Sequence, residues 1–259
     1  MKEKLNVLWF SAGMDSFAAG YLEKDNIDRI VYIHIDDQHE DTLRFLKDCE
    51  KIYRKEIEII QHPIYKTKNH VQRAFKFINS AYGAKCTGKL KKEVRKIWEQ
   101  ENKEYDFVYY WGFDIEEKDR AYGENGIVNK APHAEHKFPL LERDMSKQDC
   151  HGLARKLGLK RPKMYDLGYP NNNCIGCVKG GMWYWNKIRV DFPKEFKEQA
   201  ELEREIGATC LKETLIVDGE KVTRRIYLDE LDPNRGRQEE EINEDCSIFC
   251  ELAYRESED

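Results

Sequence analysis

Two periods alternate along this chain: short apolar runs rich in β-branched and aromatic residues, and longer segments whose apolar positions fall three and four apart. The runs at 5–10, 29–35, 56–60 and 105–111 predict strands. Between them, the segments after residue 16 and at 40–54, 69–79 and 89–100 predict helices; in the second, Leu43, Phe45, Leu46 and Ile52 share one face. A short strand is expected at 137–140 and a helix at 146–157, closed by Gly158. This alternation specifies an α/β fold, a doubly wound, mostly parallel sheet with helices on both faces and ligands at the carboxyl ends of the strands.

Past Gly158 the pattern changes. Pro162, Gly168, Pro170 and Asn171-Asn172-Asn173 form a loop around Cys174 and Cys177. Helix follows from 183 to 206, interrupted near Pro193, and then a hairpin, 214–217 with 222–228, turns through Asp218-Gly219. The expected organisation is an α/β domain over 1–160 and a C-terminal extension over 161–259.

The most informative stretch is Ser11-Ala12-Gly13-Met14-Asp15-Ser16, between the first strand and the first helix. A small-residue turn there aims backbone N–H groups and the positive end of the helix dipole at one point, which suits phosphate. Ser11 and Ser16 add hydroxyls, Gly13 permits close approach, and Asp15 either caps the helix or holds a cation that bridges phosphates. The lysine-bearing pattern G-x-x-x-x-G-K-[ST] is absent. Asp36, at the end of the second strand, suits a ribose hydroxyl or an adenine amino group, or merely ends a strand.

Composition narrows the setting. The chain of 259 residues can bury a sizeable core, and its 36% charged residues predict long polar surface elements around it. No apolar run approaches the roughly 18 residues that cross a bilayer, so a soluble, cytoplasmic protein with no membrane partner is expected. A net charge of −5 opposes global attraction to nucleic acid, while a local patch still leaves a nucleic-acid substrate open. Eight cysteines in such a chain point to metal binding, reactivity or burial rather than disulfides.

Cys174-Ile175-Gly176-Cys177 is a C-x-x-C that can bring two thiolates to one zinc ion or iron–sulfur cluster; a redox dithiol and an unligated pair are the alternatives. Four ligands close such a site, and Cys86, Cys150, Cys246 and Cys250 are candidates for the others. Cys246 and Cys250 share a face if their segment is helical, either as ligands or as part of an apolar face with Ile248, Phe249 and Leu252. Cys49 follows helical spacing with Phe45 and is expected in the core. Between Lys85 and Lys96 six basic residues face one acid, Glu93. Lys92 and Lys96 suit a solvated face, and Trp183-Tyr184-Trp185 suits either base stacking or core. His133 and His136 flank Glu135 in an expected loop.

The Ser-x-Gly-x-Asp-Ser turn after the first strand resembles the PP-loop of the ATP pyrophosphatase superfamily, with Ala12 where a second glycine is usual and Met14 where many members have lysine. Asp36-Asp37 with Glu40-Asp41-Thr42-Leu43, then Cys86-Thr87-Gly88-Lys89-Leu90-Lys91, Gly112 with Glu117 and Arg120, and finally 165–177 resemble, in that order, the phosphoadenosine phosphosulfate (PAPS) reductase-like family. The resemblance implies an adenine nucleotide alpha hydrolase-like fold and an adenine nucleotide partner. It implies nucleotide contacts from Ser11 to Ser16, Asp36 and Gly112, and catalytic roles for Asp15, Lys89 and Arg120, with Lys91 a further anion contact. It also implies an iron–sulfur cluster, or zinc, on Cys86, Cys174 and Cys177 with Cys246 or Cys250 completing the set. The implied activity is magnesium-dependent cleavage of ATP between the α and β phosphates, adenylating a substrate for sulfur transfer with an unidentified sulfur donor or acceptor. Sulfonucleotide reduction and a non-catalytic nucleotide-binding module are the alternatives. Reductases of the family end in Glu-Cys-Gly-x-His; this chain has Asp245-Cys246-Ser247-Ile248-Phe249-Cys250 instead.

Overall fold

The computed structural model describes residues 2–80 and 83–238. Strand β1 (Lys4–Phe10) lies at the centre of a five-stranded sheet with β2 (Arg29–Ile33), β3 (Ile57–Ile60), β4 (Asp106–Tyr110) and β5 (Glu135–Lys137). Every pairing is parallel and the order is β3-β2-β1-β4-β5, so the fold is the expected α/β doubly wound type. The chain steps outward from β1 to β3, then crosses back to the other side of β1. The carboxyl ends of β1 and β4 therefore border the crevice where the winding reverses, the usual place for a ligand in such sheets.

Period-two alternation in β1 supplies both cores. Leu5, Val7 and Trp9 face the helix Val94–Glu101, where Trp98 stands edge-on to Trp9 with ring centroids 5.3 Å apart. Leu8 and Phe10 face α1 (Met14–Leu22) and α2 (Asp41–Tyr53), joined by the helix Lys147–Lys156. Phe45 on α2 is fully buried and meets both Phe10 and Phe17, coupling strand, loop exit and helix. The Lys147–Lys156 helix starts from a capping box in which Ser146 and Asp149 satisfy each other's backbone N–H groups.

Several expectations change in detail. The helix α3 (Lys68–Phe75) stops short of 79 because Lys76 takes a left-handed conformation (φ 45°), and residues 79–80 pair with 83–84 in a short antiparallel ladder. The basic segment is helical from Lys85, with a π-helical stretch Gly88–Glu93 before Val94. At 137–140 the strand ends at Lys137 and Pro139 opens a short helix, Pro139–Glu142, because its fixed φ suits a first helical position. His136 consequently sits in β5, its ring stacked on Trp111 and Phe138 rather than in a loop.

Beyond Gly158, Met164, Tyr169, Tyr184, Trp185, Ile188 and Leu228 gather in a further core. Tyr184 and Trp185 are buried there, in the helix Met182–Asp191; a second helix, Pro193–Ile206, follows. The hairpin strands Leu211–Val217 and Glu220–Ile226 turn through Asp218 (φ 51°) and Gly219 (φ 83°), the left-handed pair that a tight hairpin favours. Cys49 is buried in the main core as expected, and so is Cys150. Cys246 and Cys250 lie outside the described residues. Among the described residues, no helix is long and apolar enough to cross a membrane.

Phe45→Ala should lower unfolding free energy by about 3–5 kcal/mol, the range for truncating a buried aromatic ring, read from urea denaturation followed by tryptophan fluorescence.

Candidate functional site

Hydrogen bonds from within the loop and from distant residues fix the turn between β1 and α1. Ser16 Oγ lies 2.9 Å from Ser11 Oγ, accepts from Ser11 N–H at 3.2 Å and donates to the Gly13 carbonyl at 3.0 Å. From 150 residues away in sequence come two more anchors: Tyr165 OH accepts from Met14 N–H (3.3 Å), and the Asn172 amide donates to the Ala12 carbonyl (2.8 Å). Ala12 is held at φ 58°, a left-handed conformation that costs a residue with a Cβ roughly 1 kcal/mol. Gly13 caps α1 without a side-chain hydrogen bond, so apart from the Met14 N–H taken by Tyr165 the first-turn amides keep their pull on an anion. Opposite them, Gly112 at the end of β4 leaves no room: a Cβ there would stand 2.5 Å from the Ser16 backbone nitrogen.

Three carboxylates converge beside this loop. Asp15, Asp114 and Glu117 each offer an oxygen, and the three lie within 4.8 Å of one another. Asp114 is 2% exposed and fixed by accepting from the Glu116 and Glu117 N–H groups at 3.0 and 3.1 Å. Asp15 Oδ1 is sealed from solvent with no hydrogen-bond partner. Burial, with the Asp114 charge adding to it against the opposing pull of Lys147, raises the Asp15 pKa to about 6. The buried Cys150 thiol hydrogen-bonds to the same carboxyl. An orphaned acidic oxygen aimed at two further carboxylates fits a hard divalent cation such as magnesium.

A cavity of about 320 Å³ opens over the loop. Ser11, Gly13, Asp15 and Ser16 form one end; Tyr32, Trp111 and Phe113 give it flat apolar walls; Lys91, Lys92 and Arg95 supply positive charge. Gly112, Glu117 and Arg120 also line it, and the Arg120 guanidinium pairs with Glu117 and lies 4.5 Å from the Phe113 ring centroid.

Other anticipated residues are elsewhere. Ala12 and Met14 contribute backbone only, their side chains being buried in the core. Asp36 is turned toward β3: its N–H donates to the Lys66 carbonyl and its carboxylate accepts from Gln61 and faces His34 at 3.3 Å, away from the cavity lining. Lys89 reaches Glu93 at 2.6 Å beside the Phe75 ring, on a different helix face from the cavity-lining Lys91, Lys92 and Arg95. Sequence reading missed Asp114, Tyr32 and Trp111, and placed Lys92 on a solvated face. The signal for Asp114 was its position just past a central strand.

The C-x-x-C loop grows directly out of the cavity floor formed by Asn171, Asn172 and Asn173. Ile175 N–H donates to the Asp37 carbonyl (2.8 Å), while Tyr184 OH donates to the Cys174 carbonyl (3.1 Å) and accepts from Cys177 N–H (2.9 Å). Gly176 takes φ 68° with its Cα hydrogens against the Trp185 ring, a place where a side chain would be strained. Cys86 and Cys174 pack on one apolar cluster with Val71 and Leu90. Burial pushes the Cys174 thiol up to about 12, against the pull of Lys91 and Lys68. Lys68 is itself buried and paired with Asp37 at 3.3 Å. Structure thus brings Cys86, Cys174 and Cys177 into one neighbourhood; Cys150 belongs to the Asp15 side.

No protein-family model matches the sequence, and no curated protein does. Among solved structures, the chain is similar to a PAPS reductase from Candida auris in a phosphate complex, at 12% identity and a TM-score of 0.46, over 65% of this chain and 81% of that one. Nothing about this chain's chemistry follows from a likeness of that degree.

Gly112→Ala should displace the first turn of α1 and lower the unfolding free energy by about 1–3 kcal/mol, the usual cost of overpacking, read from urea denaturation. Asp15 gives a stability test with a defined sign. Its folded pKa lies above the ordinary 3.8, so the folded state keeps a proton that the unfolded chain has lost, and stability falls as pH rises through about 6. Asp15→Asn should therefore stabilise the metal-free protein near pH 8, by up to about 3 kcal/mol, and leave it unchanged near pH 4.

Proposed function

We propose that this protein binds ATP with magnesium and cleaves it between the α and β phosphates, adenylating a substrate for sulfur transfer. The observation that carries this reading is the meeting, in one cavity, of a helix N-terminus with Asp15 and Glu117, behind which the buried Asp114 converges on the same point. Such a pair of features holds a pyrophosphate and the cation that neutralises it.

In this reading the amides of residues 13, 15 and 16 and the hydroxyl of Ser11 bind the β and γ phosphates. A substrate oxygen attacks the α phosphorus, the bond to the bridging oxygen breaks, and pyrophosphate departs with its negative charge already met by fixed dipoles. Magnesium, when bound by Asp15, Asp114 and Glu117, would supply the remaining charge stabilisation. The aromatic walls from Tyr32, Trp111 and Phe113 give the adenosine a place, and Arg120 lies where it can orient a phosphate. Sulfur then displaces AMP from the activated substrate.

Reduction of a sulfonucleotide is the second reading, favoured by Lys91, Lys92 and Arg95: these cations on the cavity wall suit an additional anionic group on the ligand. Incubation of the purified protein with magnesium and ATP or a sulfonucleotide, together with cell-extract small molecules and RNA, separates the readings by mass spectrometry. AMP with pyrophosphate from ATP is the expected result, reduced at least a hundredfold by Asp15→Ala. Sulfite with an adenosine phosphate would replace the first reading by the second, and tight binding without turnover would replace both.

A further inference from the structure

Cys210 was not among the cysteines that the sequence pattern singled out, yet the fold delivers it to the C-x-x-C. It stands just before the first hairpin strand, Leu211–Val217. Asn79 ties the two segments together, its amide donating to the carbonyl of Val178, next to Cys177, at 2.6 Å and to that of Cys210 at 3.4 Å. Cys86 and Cys210 pack against the same small cluster of Ile78, Ala84 and Val178, and Cys177 and Cys210 each pack against the core that contains Trp185. Cys86 faces Cys177 closely enough for the two thiolates to repel, Cys174 faces Cys177 likewise, and Lys68 lies within electrostatic reach of both Cys174 and Cys210. Four sulfurs from three separate parts of the chain thus gather in one half-buried, largely apolar neighbourhood beside the buried Lys68.

We infer that Cys210 is the fourth protein ligand of an iron–sulfur cluster held with Cys86, Cys174 and Cys177, in place of Cys246 or Cys250. This rests on the metal-binding reading of the C-x-x-C. Spacing favours a cluster over a single zinc ion. Tetrahedral zinc at about 2.3 Å from each sulfur needs sulfurs within about 4 Å of one another. Among the described residues, no three cysteine sulfurs meet within 4.8 Å. A cluster spreads its thiolates over different iron atoms and accepts the wider set.

The surroundings are built for that role. Buried Glu203 accepts from the Cys210 N–H (2.6 Å) and the Leu228 N–H (2.8 Å), fixing the backbone from which the thiol projects. Buried Lys68, paired with Asp37, lies within electrostatic reach of Cys174 and Cys210 and gives that side of the site a fixed ion pair. Glu203 also hydrogen-bonds to the Cys210 thiol, so a purely structural role makes a distinct prediction: a serine at 210 keeps that bond and the fold.

The test is anaerobic reconstitution of the full chain with ferrous iron and sulfide, read by visible absorption, iron and sulfide content and electron paramagnetic resonance. Wild type should bind a cluster. Cys210→Ser should lose most of its iron or convert to a species with less iron, while keeping the wild-type melting temperature. Cys246→Ser and Cys250→Ser should retain full iron. Full iron in Cys210→Ser with loss in Cys246→Ser or Cys250→Ser would overturn the assignment of Cys210 while leaving the metal-binding reading intact. Zinc bound one per chain with no iron retained would overturn the cluster, and no metal of either kind in wild type would overturn the metal-binding reading itself.

Discussion

The clamp on the β1–α1 loop is the constraint on which the rest of the structure depends. Helix amides attract phosphate only if they stay aimed at one point, and a short loop of small residues has no side chains bulky enough to hold itself there. The fold solves this from outside. Tyr165 and Asn172 grip the loop's backbone from a distant segment, and Gly112 lets β4 press against the first turn of α1. Because Tyr165 and Asn172 lie ahead of Cys174 in one segment, the stretch that clamps the β1–α1 loop also leads into the C-x-x-C, which joins the two neighbourhoods mechanically.

The site is assembled against the electrostatic interest of the empty fold. Two buried carboxylates, Asp15 and Asp114, repel each other, Ala12 is held left-handed, and Asp15 Oδ1 finds no partner. Each feature opposes folding; a cation between the carboxylates would relieve the first and the last, while the Ala12 backbone is held by the hydrogen bond from Asn172. Met14 fits the same logic. Without a lysine in the loop, positive charge comes from across the cavity, from Lys91, Lys92, Arg95 and Arg120. The π-helical stretch Gly88–Glu93 lies in the run that carries two of these cations. Charge that is local in the chain elsewhere is here delivered by tertiary structure.

What the chain alone determined was whatever short-range periodicity encodes. Alternation in Leu5–Phe10, the apolar face of 40–54 and the glycine-containing turn at 11–16 were sufficient for a doubly wound sheet with a tight strand-to-helix loop after its first strand, because each is a local pattern with one economical burial. Direction was another matter. Asp36 and Lys89 were legible as polar groups near the right ends of the right elements, but whether a side chain faces β3 or the β1–β4 crevice depends on neighbours far off in sequence. The same holds for Asp114, which became a candidate only when β4 was seated beside β1, and for Cys210, which carries no motif. Only the tertiary structure decided these, because convergence of groups on one point is a property of packing and crossover connections, and no spacing along a chain records it.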